Sequence, residues 1–276
     1  MPGPFAKKTR SPRKPPHTRT RGPHRQQERP AARGALERLY GINPVRTALE
    51  QGRRRLDRLY LKQGRLSEKL SALAQLAGER GLPVTEATPA ELEDLSGSAS
   101  HQGVMLECGP LPLAPERQAL ETASSGTPLL VALDEVEDPQ NLGAIARCAA
   151  AFGAAGLVLP RHHSAPAGAA ASKASAGTLE SLPVFEAANL ARFLDQARRK
   201  GFWVAGSVVE QGTPLDDFEH DQPLVLVLGN EGRGLRPLVR SQCDYLISIP
   251  LGGGGSLNVA TAAAIMLYRL SRPRKP

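Results

Sequence analysis

Cysteine is scarce in this chain, and the three present are poorly placed to act together. Cys108, Cys148 and Cys243 are far apart and form no CxxC pair. That argues against a disulfide framework and a cysteine zinc site, and it fits a reducing, cytoplasmic compartment. Aromatic residues are only 4% of the chain, too few for stacked platforms that grip single-stranded nucleic acid. No apolar run reaches the roughly 20 residues of a membrane span, and the start lacks the apolar region of a secretory signal. The six histidines show no metal-ligand spacing. His162 and His163 are adjacent, cannot face one ion in a regular element, and read as loop residues. No metal is expected.

Acid is what the first 33 residues lack. They hold ten Lys and Arg against Glu28 alone. Of the 35 bases and 27 acids in the chain, 25 and 26 remain for residues 34–276, so the +8 net charge belongs to the tail and the rest is near neutral. The tail has almost no large apolar side chains, so it cannot offset its chain entropy and is expected to be disordered. Such a segment is a solubiliser or an arm that gains affinity from phosphate contacts. An Arg-rich, acid-poor start also overlaps with organelle transit peptides. The five prolines from Pro12 to Pro30 would break the amphipathic helix those peptides use, which makes that the lesser alternative.

After the tail, periodicity alternates between helical and extended. In residues 36–108 it predicts helices over Pro44–Glu50, Ser67–Arg80 and Thr88–Leu95, and strands at Leu56–Lys62, from Val84, and over His101–Glu107. Thr88 is a candidate N-cap with proline behind it. The order α-β-α-β-α-β suits a small α/β sandwich. Residues 109–127 carry Pro110, Pro112 and Pro115 and read as a linker. In residues 128–272 apolar strands are expected at Leu129–Leu133, Gly156–Pro160, Phe202–Val209, Leu224–Leu228 and Leu246–Ile249. Helices are expected over Asn141–Phe152, part of 165–176, Asn189–Lys200 and Leu257–Leu270. Buried strands separated by helices imply a mostly parallel sheet covered on both faces.

Three glycine-marked segments fall at strand ends of this second region. The first is Asp134-Glu-Val-Glu-Asp138-Pro139-Gln-Asn141-Leu-Gly143-Ala-Ile-Ala-Arg147. Its acids and Asn141 lie where a strand ends and a helix begins, the place where open α/β sheets hold ligands. Arg147 is six residues on, nearly two turns away, and Gly143 permits close approach of another backbone. Alone, the segment reads as a capped surface helix with one solvated Arg. The second is Gly229-Asn230-Glu231-Gly232-Arg233-Gly234, straight after Leu228. Its spacing is GxxGxG, not the GxGxxG of a dinucleotide loop, and no ribose-binding acid follows. Its glycines let backbone groups reach a ligand, although a plain solvated loop has the same composition. The third is Ile249-Pro250, a glycine run, then Ser256-Leu257-Asn258. Ser256 or Asn258 can cap the apolar helix behind it, whose free amides also suit a polar ligand.

As an ordered set, these segments resemble the SpoU branch of the SPOUT methyltransferases, over about Leu36 to Leu270. The front region, with Tyr40-Gly-Ile-Asn-Pro-Val45 and His101-Gln-Gly-Val104, is similar to the RNA-binding module of the bacterial 23S rRNA guanosine 2′-O-methyltransferases. The resemblance implies an α/β/α RNA-binding domain at 36–108 and a trefoil-knotted α/β methyltransferase domain at 128–272. It implies S-adenosylmethionine as cofactor, RNA as substrate, no DNA or membrane partner, and a homodimer with the active site at the interface. By resemblance, Arg147 is the catalytic arginine near the ribose 2′-hydroxyl. Asn141 and Glu231 shape the same pocket, and Ser256 and Asn258 complete it. Backbone around Leu228, Gly229, Asn230, Ile249 and Leu257 is expected to hold the cofactor's adenosine. Glu180, in Ala176-Gly-Thr-Leu-Glu180, matches a further family segment with a structural role. Two features depart from the pattern: Asn230 stands where relatives often carry alanine, and the glycine run before Ser256 is about one residue shorter.

The function so implied is methylation of a ribose 2′-hydroxyl, on a guanosine of large-subunit rRNA. A tRNA guanosine, an rRNA adenosine, and a non-catalytic RNA-binding relative are the alternatives. The tRNA enzymes of this branch generally lack the front domain, and the intact residue set weighs against loss of chemistry.

Overall fold

The computed structural model describes residues 36–122 and 128–271. The basic tail and residues 123–127 of the expected linker therefore lie outside the described residues. Two sheets form the described chain, one of four strands and one of eight.

The smaller sheet is built from β1 (Glu37–Tyr40), β2 (Leu56–Lys62), β3 (Val84–Ala87) and β4 (Val104–Cys108), in the order β1-β4-β2-β3. β4 is antiparallel to both β1 and β2, while β3 runs parallel to β2. Helices α1 (Ile42–Gln51), α2 (Glu68–Glu79) and α3 (Pro89–Ser96) join the strands. Thr88 caps α3 as expected, in a capping box with Glu91. The order is β-α-β-α-β-α-β and not α-β-α-β-α-β. β1 is only four residues long and has one buried side chain, Leu39, so it carries no alternation to read. Leu39, Val45, Leu49, Leu59, Leu73 and Leu106 are central to this core.

The larger sheet contains β5 (Ala114–Pro115), β6 (Leu129–Leu133), β7 (Gly156–Pro160), β8 (Val184–Ala187), β9 (Trp203–Val208), β10 (Thr213–Pro214), β11 (Leu224–Leu228) and β12 (Tyr245–Ser248). Its order is β10-β12-β9-β11-β6-β7-β8-β5, and every pairing is parallel. All five residues of β6, β7 and β11 are buried, as befits central parallel strands covered on both faces. Their side chains alternate between two cores. Leu129, Val131 and Leu133 join one with α5 (Pro139–Ala151) and α9 (Val259–Leu270), while Leu130 and Ala132 join the other with α4 (Glu116–Glu121) and α7 (Leu190–Arg199).

The segment expected as a linker is partly structured. Ala114 and Pro115 pair with Phe185 and Glu186, and Ala119 and Leu120 of α4 are buried. Glu116 then accepts from the Ala188 backbone N–H at 3.0 Å, just before α7. The Ala-rich stretch is helical only as α6 (Ala169–Ala174), followed by a 3-10 turn at Thr178–Glu180. β8, β10 and the four-residue α8 (Pro237–Arg240) escaped the pattern reading because each is too short to show a period.

Candidate active site

β6 and β11 are neighbours, with Leu133 opposite Leu228. From β6 the chain goes on to β7 and β8 on one side, whereas β11 leads back to β12 beyond β9. The carboxyl ends of β6 and β11 therefore flank a topological switch point, where loops diverge and leave a crevice. Both glycine-marked loops start there. Asp138 accepts from the Gln140 N–H at 2.9 Å and caps α5, with Pro139 in its first turn, so Asn141 sits at the start of the helix.

Side chains from all three segments meet at this point. The Asn141 amide Nδ2 donates to Glu231 Oε1 at 2.8 Å. Asn258 Nδ2 donates to Asn141 Oδ1 at 3.0 Å and also to Glu231 Oε1. The Val259 N–H approaches the same carboxylate oxygen at 3.4 Å. Asn258 meanwhile caps α9, its Oδ1 accepting from Ala260 N at 2.9 Å and Thr261 N at 3.3 Å. Capping and site-building thus coexist in one side chain, and Asn258, not Ser256, is the cap. Among the described residues the hydrogen bonds to the Glu231 carboxylate all use Oε1, and the residue is exposed. This is a carboxylate oriented by two carboxamides and still open to a ligand.

Gly143 works as expected. A Cβ there would lie 2.5 Å from the Ala171 carbonyl oxygen and 2.5 Å from the Ala174 Cβ. Only glycine lets α6 press this closely against α5.

The loop that carries Glu231 is held by contacts that the sequence reading did not foresee. Asp134, fully buried at the end of β6, accepts from the Arg236 backbone N–H at 2.8 Å and from its Nε at 2.7 Å. Arg233 pairs with Glu135 at 3.2 Å. Asn230 donates to the Glu135 carbonyl at 3.0 Å while its Oδ1 accepts from Gly232 N and Arg233 N. An alanine at 230 could make none of these bonds, so the departure from the family pattern adds a local brace. The signal for the Asp134–Arg236 pair was a charged residue at the end of an all-apolar strand, which has to find a partner when buried.

Beside the carboxamide cluster lies a cavity of about 230 Å³. Val208, Leu235, Ile249, Leu257, Ala262 and Met266 give it an apolar lining. Gly229, Asn230, Glu231 and Ser256 add polar side chains and backbone to the lining. An apolar slot edged by backbone and a carboxylate suits a purine nucleoside with a cationic substituent, and the residues present fit S-adenosylmethionine. Of the expected cofactor residues, Gly229, Asn230, Ile249 and Leu257 line the cavity. Leu228 is fully buried inside β11 and is not among the lining residues. Arg147 is not among them either. It is exposed on α5, its side chain makes no hydrogen bond or ion pair among the described residues, and it stands about 9 Å along the helix axis from Asn141. Within one chain, therefore, the structure brings Asn141, Glu231 and Asn258 into contact, sets Ser256 on the cavity wall, and leaves Arg147 outside. Among the described residues no group of three His, Cys, Asp or Glu is placed to hold a metal ion, and no helix is long and apolar enough to cross a membrane.

Comparison with known proteins matches this organisation. The model of the SpoU rRNA Methylase family matches residues 128–268, and that of the RNA 2'-O ribose methyltransferase substrate binding family matches residues 38–114. Among curated proteins, the chain is 36% identical over 243 residues to the 23S rRNA (guanosine-2'-O-)-methyltransferase RlmB of Pseudomonas aeruginosa, covering 87% of this chain and 98% of that protein. It is 38% identical over 275 residues to an uncharacterized tRNA/rRNA methyltransferase of Mycobacterium avium, covering 96% and 89%. Among solved structures, the SpoU methyltransferase AviRb from Streptomyces viridochromogenes, in complex with AdoMet, superposes with a TM-score of 0.72 at 28% identity, covering 86% of this chain and 89% of that one. The AdoMet-bound rRNA methyltransferase from Sinorhizobium meliloti gives 0.72 at 26% identity, covering 85% and 86%.

Proposed function

The chain belongs to the SpoU rRNA methylase family, and from that membership together with the Asn141–Glu231–Asn258 cluster we infer that it is an S-adenosylmethionine-dependent rRNA ribose 2′-O-methyltransferase. Its fold is the trefoil-knotted α/β methyltransferase fold behind a smaller α/β domain. The single observation that carries the functional reading is the meeting of three loops, 117 residues apart at the extremes, on one accessible carboxylate beside an apolar cavity.

When bound, S-adenosylmethionine supplies an electrophilic methyl group. The remaining work is done by residues of the protein. The backbone at Gly229, Ile249 and Leu257, which lines the cavity, would hold the adenosine, while Asn230 keeps the loop in shape. Asn141 and Asn258 orient Glu231, whose negative charge favours a cationic ligand at the cavity mouth. Ser256, on the wall, adds a hydroxyl to the cavity lining. A ribose hydroxyl is a weak nucleophile at neutral pH, so it needs alignment and help with its developing charge. Arg147, a planar fork of donors, is assigned the role of a cation that stabilises the charge developing on the ribose oxygen, whose proton passes to solvent water.

Arg147 does not line the cavity of its own chain. We assign it to the cavity of a second copy, in a homodimer whose interface includes α5. The neighbouring face of α9 exposes Ile265 and Tyr268, apolar side chains suited to such a contact. The substrate is a guanosine of large-subunit rRNA, a reading supported by the resemblance to RlmB and by the matched substrate-binding region. The chemistry is compatible with the cytoplasm, where rRNA is available.

Incubation with labelled S-adenosylmethionine and large-subunit rRNA lacking the modification, followed by nucleoside mass spectrometry, tests this. The expected product is 2′-O-methylguanosine, absent with Arg147→Ala. A 2′-O-methyladenosine would overturn the choice of base, and no incorporation into any rRNA would overturn the functional reading.

A further inference from the structure

Arg54 lies away from the active site and is held by hydrogen bonds on every side. It is fully buried, and a guanidinium has five N–H donors. All five are taken. Nε and Nη2 grip Glu180 in a bidentate pair, at 2.7 and 2.9 Å. Nη1 donates to Glu37 at 2.8 Å and to the Gly109 carbonyl at 3.1 Å. Nη2 also donates to the Ala167 carbonyl at 3.2 Å. Glu180 is 1% exposed. Burial opposes charge on Arg54, but Glu180, Cys108 and Glu37 together outweigh it and the net shift is upward, so the guanidinium stays charged.

These partners belong to both halves of the molecule. Arg54 and Glu37 come from the small sheet and its connections, Ala167 and Glu180 from the large-sheet region. Further bonds repeat the same join. Arg53 donates to the carbonyls of Glu180 and Leu182 at 3.1 and 2.8 Å. Lys173 donates to the Ser100 carbonyl at 3.0 Å and lies over the Tyr40 ring. Gly177, at φ +90°, brings the chain so close to α1 that a Cβ would sit 2.8 Å from the Asn43 carbonyl oxygen. Ala169 of α6 even packs into the small-sheet core. The segment so gripped, α6 and the 3-10 turn, is the one that presses on α5 at Gly143, and α5 carries Asn141 and Arg147.

We propose that the Arg54–Glu180 pair is a positioning clamp: it locks the substrate-binding sheet against the segment that backs α5, so that RNA bound on the small sheet is delivered to the active site at one fixed distance and angle. The RNA part of this proposal rests on the function inferred above, and the mechanical part does not. A rigid join means that binding energy gathered on the small sheet aligns the target ribose directly. A loose join would let the same RNA bind as tightly and react more slowly.

The test uses the whole chain with spin labels at Ser71→Cys and Lys200→Cys, exposed positions on either side of the join, diluted with unlabelled protein. Pulsed electron resonance should give one narrow distance distribution. Arg54→Lys keeps the charge but loses the fork, and Glu180→Gln keeps the shape but loses the charge. Both should broaden the distribution and cut turnover at saturating RNA and cofactor by about tenfold or more. Dissociation constants for RNA and cofactor should move less than about twofold, because neither residue lies in the cavity. A merely structural pair would lower the active fraction and leave the turnover of the folded enzyme unchanged, so rates are referred to cofactor-binding sites. A broad distribution with the native clamp overturns the proposal, as does broadening without loss of turnover. A narrow distribution in an unmutated protein that methylates no RNA would refute the functional reading and leave the clamp standing.

Discussion

Two glutamates, 51 positions apart in the sequence, show how differently one side chain can be used. Glu180 is sealed against an arginine whose every donor is filled, and all the contacts come from within one chain. Glu231 is exposed, held by two carboxamides, and approached on one oxygen. The first arrangement is closed and complete; nothing more can bind to it. The second is oriented but open, and the arginine expected to serve it lies outside its cavity. A saturated buried pair is what a joint requires, and a half-satisfied exposed cluster is what a ligand site requires.

The contrast breaks most visibly in stability. Glu180→Ala leaves Arg54 buried without its main partner, and should cost about 3–5 kcal/mol in urea unfolding. Glu231→Ala should cost under about 1 kcal/mol in the same measurement, as expected for an exposed carboxylate. If the two losses were equal, the division into joint and site would be wrong. In activity the order reverses: Arg147→Ala should lower turnover by about 10²–10³-fold with the thermal midpoint nearly unchanged, since the exposed Arg147 side chain has no hydrogen-bond or ion-pair partner among the described residues. A smaller stability effect attaches to Asn258, which belongs to both regimes. Asn258→Ala removes the α9 cap and should cost about 1 kcal/mol, and Asn258→Ser should recover most of that stability but not the activity, because serine caps a helix yet cannot bridge Asn141 and Glu231.

The smallest effect concerns the thiols. Burial pushes Cys108 and Cys243 up from 9.0 to about 12, so both should react slowly with thiol reagents at neutral pH. The folded chain holds these protons while the unfolded chain releases them above 9.0. The unfolded state then binds fewer protons, and stability must fall as pH rises from 9.0 toward about 12. A urea midpoint that stays flat across that window would contradict the burial assigned to them.

Much of this is legible in the sequence alone. Runs such as Leu224–Leu228 have five consecutive apolar residues, and they became the fully buried strands they suggested. Asn141, Glu231 and Asn258 each follow a strand end with a glycine nearby, and that pattern survived as contact. What escaped was short or non-local. β1, β8 and β10 hold too few residues for a period to emerge. Asp134 finds Arg236 across 102 positions and Arg54 finds Glu180 across 126, and no local pattern encodes such a meeting. Arg54 stands beside Arg53 and Arg55 and reads as one of three solvated bases, yet only Arg54 is buried. Glu180 read as structural without any hint of its partner.

The central claim is that the clamp is complete in one chain while the active site needs two, and mixing inactive variants tests it most directly. Arg147→Ala and Glu231→Gln chains are each expected to be nearly inactive. If Arg147 serves the cavity of its partner, unfolding and refolding them together should restore activity, because each mixed dimer has one cavity with an intact Glu231 facing an intact Arg147. If both residues act within one chain, every site in the mixture is defective and no activity returns, which would contradict the account.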